Sequence, residues 1–259
     1  MSNRPLPNVR KLFLPDPGHI ICDVDLQGAD AQVVAWEADD QDLKAAFRAG
    51  IDIHNHNGKA LFGDAYDPKK PGKIKPTLRD ELKSAVHGTN YGASARTLAI
   101  TFGWTIREAE SFQSRWFSLH PGIGGGSAHS WHRRVERDLQ LSRRISNRFG
   151  NRIIYFDRPD NLLPKGLAWI PQSTVAGVCG RASLALQRLC PWATILLQVH
   201  DSIIFQVPTH RFTQASFREV RSALEVPIPY PDPLIIPWGL AASAASWGEV
   251  RKMKWEELQ

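Results

Sequence analysis

The sequence runs to 259 residues, 42% of them hydrophobic and 22% charged, which allows a full core in one large domain or two closely packed subdomains and excludes wholesale disorder. Lys and Arg number 32 against 26 Asp and Glu, a net charge of +6, compatible with a nucleic-acid partner without specifying one. Three cysteines without a Cys-x-x-Cys pair argue against a disulfide framework or a zinc ribbon, and no signal-peptide core or eighteen-residue apolar run is present, so a soluble, cytoplasmic chain with no membrane span is expected.

A proline-rich lead ends at Pro15-Asp16-Pro17-Gly18 and gives way to "HIICDVDL", whose β-branched run predicts a buried strand ending in acids. Helical patterns follow at about 30–38 and 43–49. The polar "DAYDPKKPGKIKP" predicts an exposed loop, and "TLRDELKSAVHGTNYG" after it a helix opened by a Thr77/Asp80 capping-box pattern. Another helix is expected over 106–119, broken by "HPGIGGGS". "NRIIYF" reads as a short strand, and 170–189 as a helix with Pro171 in its first turn. "ATILLQVHDSIIFQVP" predicts a hairpin whose polar tip is His200-Asp201-Ser202. A helix at about 212–224 and a strand around 234–238 close the chain.

Two features call for explanation. In the helix after Pro76, Arg79, Lys83, His87 and Tyr91 recur every fourth residue and form one stripe. Two cations at that spacing cost an isolated helix about 0.2–0.5 kcal/mol. Either the stripe is a solvated face in which Asp80 pairs with Lys83, or it faces a polyanion that gains from the helix dipole and both cations. The second feature is a run of seven arginines between Arg133 and Arg152, Arg148 among them, which reads either as a solvated helix face or as a phosphate-contacting surface.

Asp23 and Asp25 end one apolar strand and Asp201 interrupts another. An aspartate at a hairpin tip is ordinarily a turn residue. If the two strands are neighbours, however, carboxylates brought close repel unless cations lie between them. Two divalent metals about 3.5–4 Å apart meet that need and suit in-line attack at phosphorus.

The segments "CDVDLQGADAQVVAWEADD", "DIHNHNGKALFG", "LRDELKSAVHGTNYG", "IPQSTVAG" and "LQVHDSIIFQV" occur in the order of the polymerase I-like, family A DNA polymerases. The chain resembles their palm and fingers over nearly its whole length. The resemblance implies an α+β fold: an antiparallel palm sheet with flanking helices and an inserted, mainly helical fingers subdomain. It implies palm at 1–40 and 166–259 and fingers at 41–165. It implies two Mg2+ ions held by Asp25, the carbonyl of Leu26 and Asp201. By the same resemblance His54, Arg79 and Lys83 bind the triphosphate of a deoxynucleotide, His87 packs on its sugar, Tyr91 lies near the nascent pair and Asp30 closes the sugar 2′ position. Gln172, His200 and Arg148 are expected on primer-template DNA, and Lys83 is expected to serve catalysis at the leaving group.

The sequence also departs from the family pattern. Asp30 stands where a Glu is usual, Ser202 replaces the acid that commonly follows the palm Asp, and Ala168 replaces an Asn. Asp23 has no family role and reads as an exposed or salt-bridged acid. The family places a thumb, and often an exonuclease, ahead of the first palm motif, and Met1 stands only 24 residues before Asp25. The expectation is a separate polypeptide carrying thumb and exonuclease, a distributive chain, or a fragment. Two other readings compete: a non-catalytic DNA-binding remnant, and a metal-dependent nuclease suggested by His54-Asn55-His56.

Overall fold

A computed structural model describes residues 8–156 and 162–258; residues 1–7 of the lead lie outside it. The chain divides into two compact units, one formed by Met1–Ala29 with Thr174–Gln259 and the other by Asp30–Ser173. The fold mixes helix and sheet, with a five-stranded antiparallel sheet in the first unit and mainly helices in the second, as the α+β expectation has it.

In the first unit, β1 (His19–Leu26), β4 (Thr194–Val199), β5 (Ser202–Pro208), β6 (Trp238–Ser243) and β7 (Arg251–Met253) form a sheet of order β4-β5-β1-β6-β7. β1 is its central strand, and its run of β-branched residues suits burial on both faces. Cys22 and Val24 pair with Phe205 and Ile203, and all four are fully buried. α9 (Gln214–Leu224) buries Phe217, Val220 and Leu224 at helical spacing, with the Phe217 ring 6.4 Å from that of Phe205. Each such side chain contributes about 1.5–3 kcal/mol by leaving water. On the alternate face Ile21 and Ile204 cluster with Trp247, whose indole meets Phe13 edge-on and lies beneath the Arg10 guanidinium.

The closing strand differs from expectation. "LIIPW" contributes only an isolated Ile228–Leu234 bridge, and the strand begins at Trp238. Pro237 has no N–H to give a ladder, whereas the small residues after it pair with β1, Gly239 opposite Asp25 and Ala241 opposite Asp23. The three cysteines are free and buried; burial pushes Cys179 up to about 12 and Cys190 to about 11.

The second unit contains α1 (Ala29–Glu37, entered from the first unit), α2 (Gln41–Arg48), α3 (Ile53–Phe62), α4 (Leu78–Asn90), α5 (Ala95–Phe102), α6 (Ile106–Leu119), α7 (Trp131–Ser142), the hairpin strands β2 (Arg144–Ser146) and β3 (Arg152–Ile154), and the first part of α8 (Leu162–Leu189). α6 has the expected bounds. α8 starts eight residues earlier than its expected beginning at Ile170, so that Pro171 lies inside the helix. Proline's preference for first turns made it look like a start signal, but a long helix packed elsewhere tolerates one lost hydrogen bond.

α4 is the element that the sequence singled out. Thr77 caps it by accepting from Asp80 N at 3.1 Å, but Asp80 returns no bond to the Thr77 N–H; its carboxylate takes the Thr77 hydroxyl at 2.8 Å. Aspartate is one methylene shorter than the glutamate of a full capping box. The buried face carries Glu81, Leu82, Ala85, Val86, Thr89 and Asn90. Glu81 accepts from the Trp104 indole at 2.9 Å and from Ile74 N at 3.1 Å. Asn90 accepts from the indole of Trp116 at 2.8 Å through its side chain and from His132 through its carbonyl.

Replacing Trp104 by Phe keeps an aromatic side chain but removes the indole N–H, and so strands one oxygen of the buried Glu81 carboxyl group. The expected cost is about 1–3 kcal/mol, read as a lower urea midpoint with unchanged slope.

Candidate active site

The first unit holds the predicted acids. The β1–β5 register sets Asp25 opposite Ser202, and Leu26 N donates to the Asp201 carbonyl at 3.1 Å. Asp25 and Asp201 therefore occupy the same end of the sheet, one register step apart, with the Leu26 backbone beside them. His200 and Asp201 form the two-residue tip of the β4–β5 hairpin. His200 has φ 54°, a left-handed conformation uncommon for a residue with a side chain and of the kind that concentrates at functional turns.

Gly239 is a residue that sequence reasoning missed. It pairs with Asp25, and a Cβ added there would lie 2.8 Å from Asp25 Oδ1 and 3.2 Å from Gln27 Nε2. The glycine leaves the space that the carboxylate occupies. Its only signal in the sequence was its place in an apolar strand, where glycine marks a close approach. Asp23, expected to be exposed or salt-bridged, is instead half-buried and accepts a 2.7 Å hydrogen bond from the Trp247 indole. Burial, more than the charge of Asp25, raises its pKa above the usual carboxylate range, although Trp247 and Arg10 oppose the shift.

The second unit holds the predicted nucleotide-binding residues. Because α4 buries Glu81 and Asn90, Arg79, Lys83, His87 and Tyr91 fall on its other side. His87 and Tyr91 lie ring against ring with centroids 4.2 Å apart, and the Tyr91 hydroxyl donates to Asp30 at 2.8 Å. Burial and the Asp30 charge push the Tyr91 phenol well above its ordinary pKa. Arg79 donates to Asp52 at 2.7 Å. Asp52 also caps α3 through the N–H groups of His54 and Asn55. Burial works to raise the Asp52 pKa, but Arg79 and these N–H groups outweigh it and hold the carboxyl below its usual range.

The Asp80–Lys83 pair of the solvated-face alternative does not form: Asp80 stands 3.9 Å from Arg79, and Lys83 is exposed with no ion pair among the described residues. Burial first, then the charges of Lys83 and Arg79, depress His54 to about 4. Its buried Nδ1 has no hydrogen-bond partner among the described residues. The imidazole is thus neutral beside two cations, and it is Arg79 and Lys83 whose charges favour an incoming anion.

The remaining expected contacts are more dispersed. Gln172 is exposed on α8. Arg148 is held in a bidentate pair with Glu37 at 3.0 and 3.2 Å. His54, Asn55 and His56 lie in the first turn of α3 rather than on a hairpin. Among the described residues Asp40, Asp42 and His120 form a cluster that could bind a metal. Both Asp40 oxygens already have donors there, Leu43 N and His120 Nδ1.

Residues 2–236 match DNA polymerase family A, and the chain belongs to that family. It is 28% identical over 244 residues to the thermostable DNA polymerase I of Thermus filiformis, covering 90% of this chain and 28% of that protein. It is 26% identical over 242 residues to the DNA polymerase of Mycobacterium phage D29, covering 93% and 37%. The chain thus spans about a third or less of these relatives' length. Its fold is also that of the POL domain of Pol1 from M. smegmatis, solved in complex with DNA primer-template and dNTP, with a TM-score of 0.77, 20% identity, and coverage of 93% of this chain and 42% of that one.

His54 supplies a pH test. Its pKa in the folded chain, about 4, lies below the ordinary 6.5, so unfolding takes up a proton between those values and stability falls as pH drops through that window. In an NMR titration of histidine-labelled protein, the signal that disappears in His54→Gln should remain that of neutral imidazole down to about pH 5. A midpoint near 6.5 would contradict the assigned environment.

Proposed function

We propose that this chain is the palm and fingers part of a template-directed DNA polymerase, which adds deoxynucleotides to a primer 3′ end. The observation that carries the reading is the β1–β5 register, which sets Asp25 and Asp201 at one strand end while Gly239 leaves room for the Asp25 carboxylate. Hard carboxylate and carbonyl oxygens are the donor set magnesium prefers. Asp25, the Leu26 carbonyl and Asp201 are the residues that would hold two Mg2+ ions, whose Lewis acidity activates the attacking hydroxyl and neutralises the departing pyrophosphate.

The helical unit supplies the rest. Arg79 and Lys83 bind the triphosphate, and His54, whose imidazole an approaching polyanion would make easier to protonate, lies beside them. His87 packs on the sugar, and Tyr91, tied to Asp30, limits space beside it. Lys83, without a carboxylate partner among the described residues, donates charge or a proton to the leaving group as the 3′-oxygen bonds to the α-phosphorus. Gln172, His200 and Arg148 contact primer-template DNA, Arg148 by exchanging Glu37 for phosphate. The grip on duplex needs the phosphate contacts of a thumb as well, since most affinity for DNA comes from such contacts, and a polypeptide carrying thumb and exonuclease would supply them.

Primer extension with purified protein, Mg2+ and deoxynucleotides, with and without the upstream polypeptide, tests the reading. Asp201→Asn should abolish extension, and Lys83→Ala should slow single turnover about 10²–10⁴-fold. No incorporation by the wild-type chain under any of these conditions would favour a DNA-binding remnant, and primer shortening without nucleotides would favour a nuclease. Gly239→Ala should cut extension at least about tenfold by displacing the Asp25 carboxylate, a shift of roughly 1.4 kcal/mol in the barrier, while circular dichroism stays that of the wild type.

A further inference from the structure

The helical unit contains a cleft that the polymerase reading does not use. It has a volume of about 600 Å³ and lies against the side of α4 that carries Glu81 and Leu82, a size suited to one small molecule. Its walls are apolar: Leu61 comes from α3, Leu78 and Leu82 from α4, Phe112 from α6, and Trp104 from the turn between α5 and α6. The rings of Trp104 and Phe112 are tilted, with centroids 5.3 Å apart. The segment 70–73 supplies a further wall and is tied at both ends. Leu78 N donates to the Lys70 carbonyl at 2.6 Å, and Lys73 Nζ donates to both oxygens of Glu108, at 2.9 and 3.2 Å. Gly72 lets the segment pass close to α4: a Cβ there would lie 2.7 Å from Glu81 Oε2 and 2.9 Å from the Lys75 carbonyl.

The free charge on this lining has one sign. Arg107, Ser111 and Arg115 recur every fourth residue, so α6 presents them as one row, and Lys70 adds another cation to the lining. Arg107, Arg115 and Lys70 have no ion pair among the described residues. Both acids of the lining are taken, Glu81 by the Trp104 indole and Ile74 N, Glu108 by Lys73 and Thr105 N. An anion therefore meets uncompensated positive charge, whereas a cation would have to displace a donor from one of the acids. An uncharged apolar ligand would leave the guanidinium groups to solvent, and an inorganic anion would leave the aromatic walls in water. An anion carried on an aromatic body meets both sets of groups.

We propose that this cleft binds a small aromatic carboxylate or sulfonate, with its rings against Trp104 and Phe112 and its charged group on the Arg107–Ser111–Arg115 row, independently of the polymerase reading. The test titrates the full chain with anilinonaphthalene sulfonate, which fluoresces on leaving water, and with its uncharged analogue phenylnaphthylamine. The sulfonate should bind once per chain with a Kd on the order of 10⁻⁵ M. Arg107→Gln with Arg115→Gln should weaken the sulfonate about tenfold and leave the uncharged analogue unchanged. Ser111→Trp, which fills the cleft, should exclude both dyes, and thymidine triphosphate in excess should displace neither. Thermal melts and near-ultraviolet circular dichroism matching the wild type establish that the variants fold and that the dyes do not report loosened packing. The proposal is overturned by an absence of fluorescence gain with the wild type, by full sulfonate affinity or an equal loss of both dyes in the arginine variant, or by binding that survives Ser111→Trp. Displacement by thymidine triphosphate would overturn it as well, by putting the dye on the α4 row.

Discussion

The cationic row on α4 depends on how that helix is rotated about its axis, and its buried side sets the rotation. A buried carboxyl group is expensive unless it finds donors, and Glu81 has both the Trp104 indole and Ile74 N. Two turns further on, Asn90 accepts from the Trp116 indole. With two polar anchors and an apolar stripe between them, a turn of the helix by one position would strand several partners at once. Arg79 and Lys83 consequently share the outer face although they repel. Polar anchoring of this kind specifies an orientation where apolar packing alone would allow several.

A comparable constraint governs the sheet. Side chains alternate along a strand, so a one-residue slip of β1 would send Asp23 and Asp25 to the opposite face and bring Cys22 and Val24 to theirs. Pairing on both edges prevents it, since β1 is held by β5 on one side and β6 on the other. Asp23 and Asp25 share a face yet differ in circumstance. Asp23 is occupied by the Trp247 indole, whereas Asp25 stands beside a position kept free of any side chain. The distinction between a structural acid and an available one lies in those neighbours.

Elements that announce themselves through local pattern were legible in the sequence. The strand at His19–Leu26 and the helix at Ile106–Leu119 have the expected bounds, and the His200-Asp201 hairpin follows from two apolar runs around a polar tip. What escaped depends on partners distant in sequence. β6 is a weak strand by composition and exists because β1 offers a ladder. Pro171 misled because its local preference yields to the rest of α8. Within the candidate site, the four-residue spacing displayed the α4 row, but nothing local could reveal that Asp52 would take Arg79, that Tyr91 would reach Asp30, or that Gly239 would make room for Asp25.

The Asp52–Arg79 pair answers the difficulty that the sequence posed. Two cations on one helix face are tolerated because one is already compensated: Arg79 is satisfied by the cap of α3, and Lys83 keeps its charge in solvent, where its ammonium group is well hydrated. An arriving polyanion need not rescue an unstable surface. On the proposed reading it would exchange one acceptor of Arg79 for another and add a partner for Lys83, so the net gain would come from the second cation, while His54, held neutral by burial and by both cations, brings no charge of its own. An arginine alone in that place would offer less discrimination, since its carboxylate partner competes with any single phosphate. On that reading, selectivity for a ligand of several charges would follow from having one paired cation and one with no ion pair among the described residues on the same row.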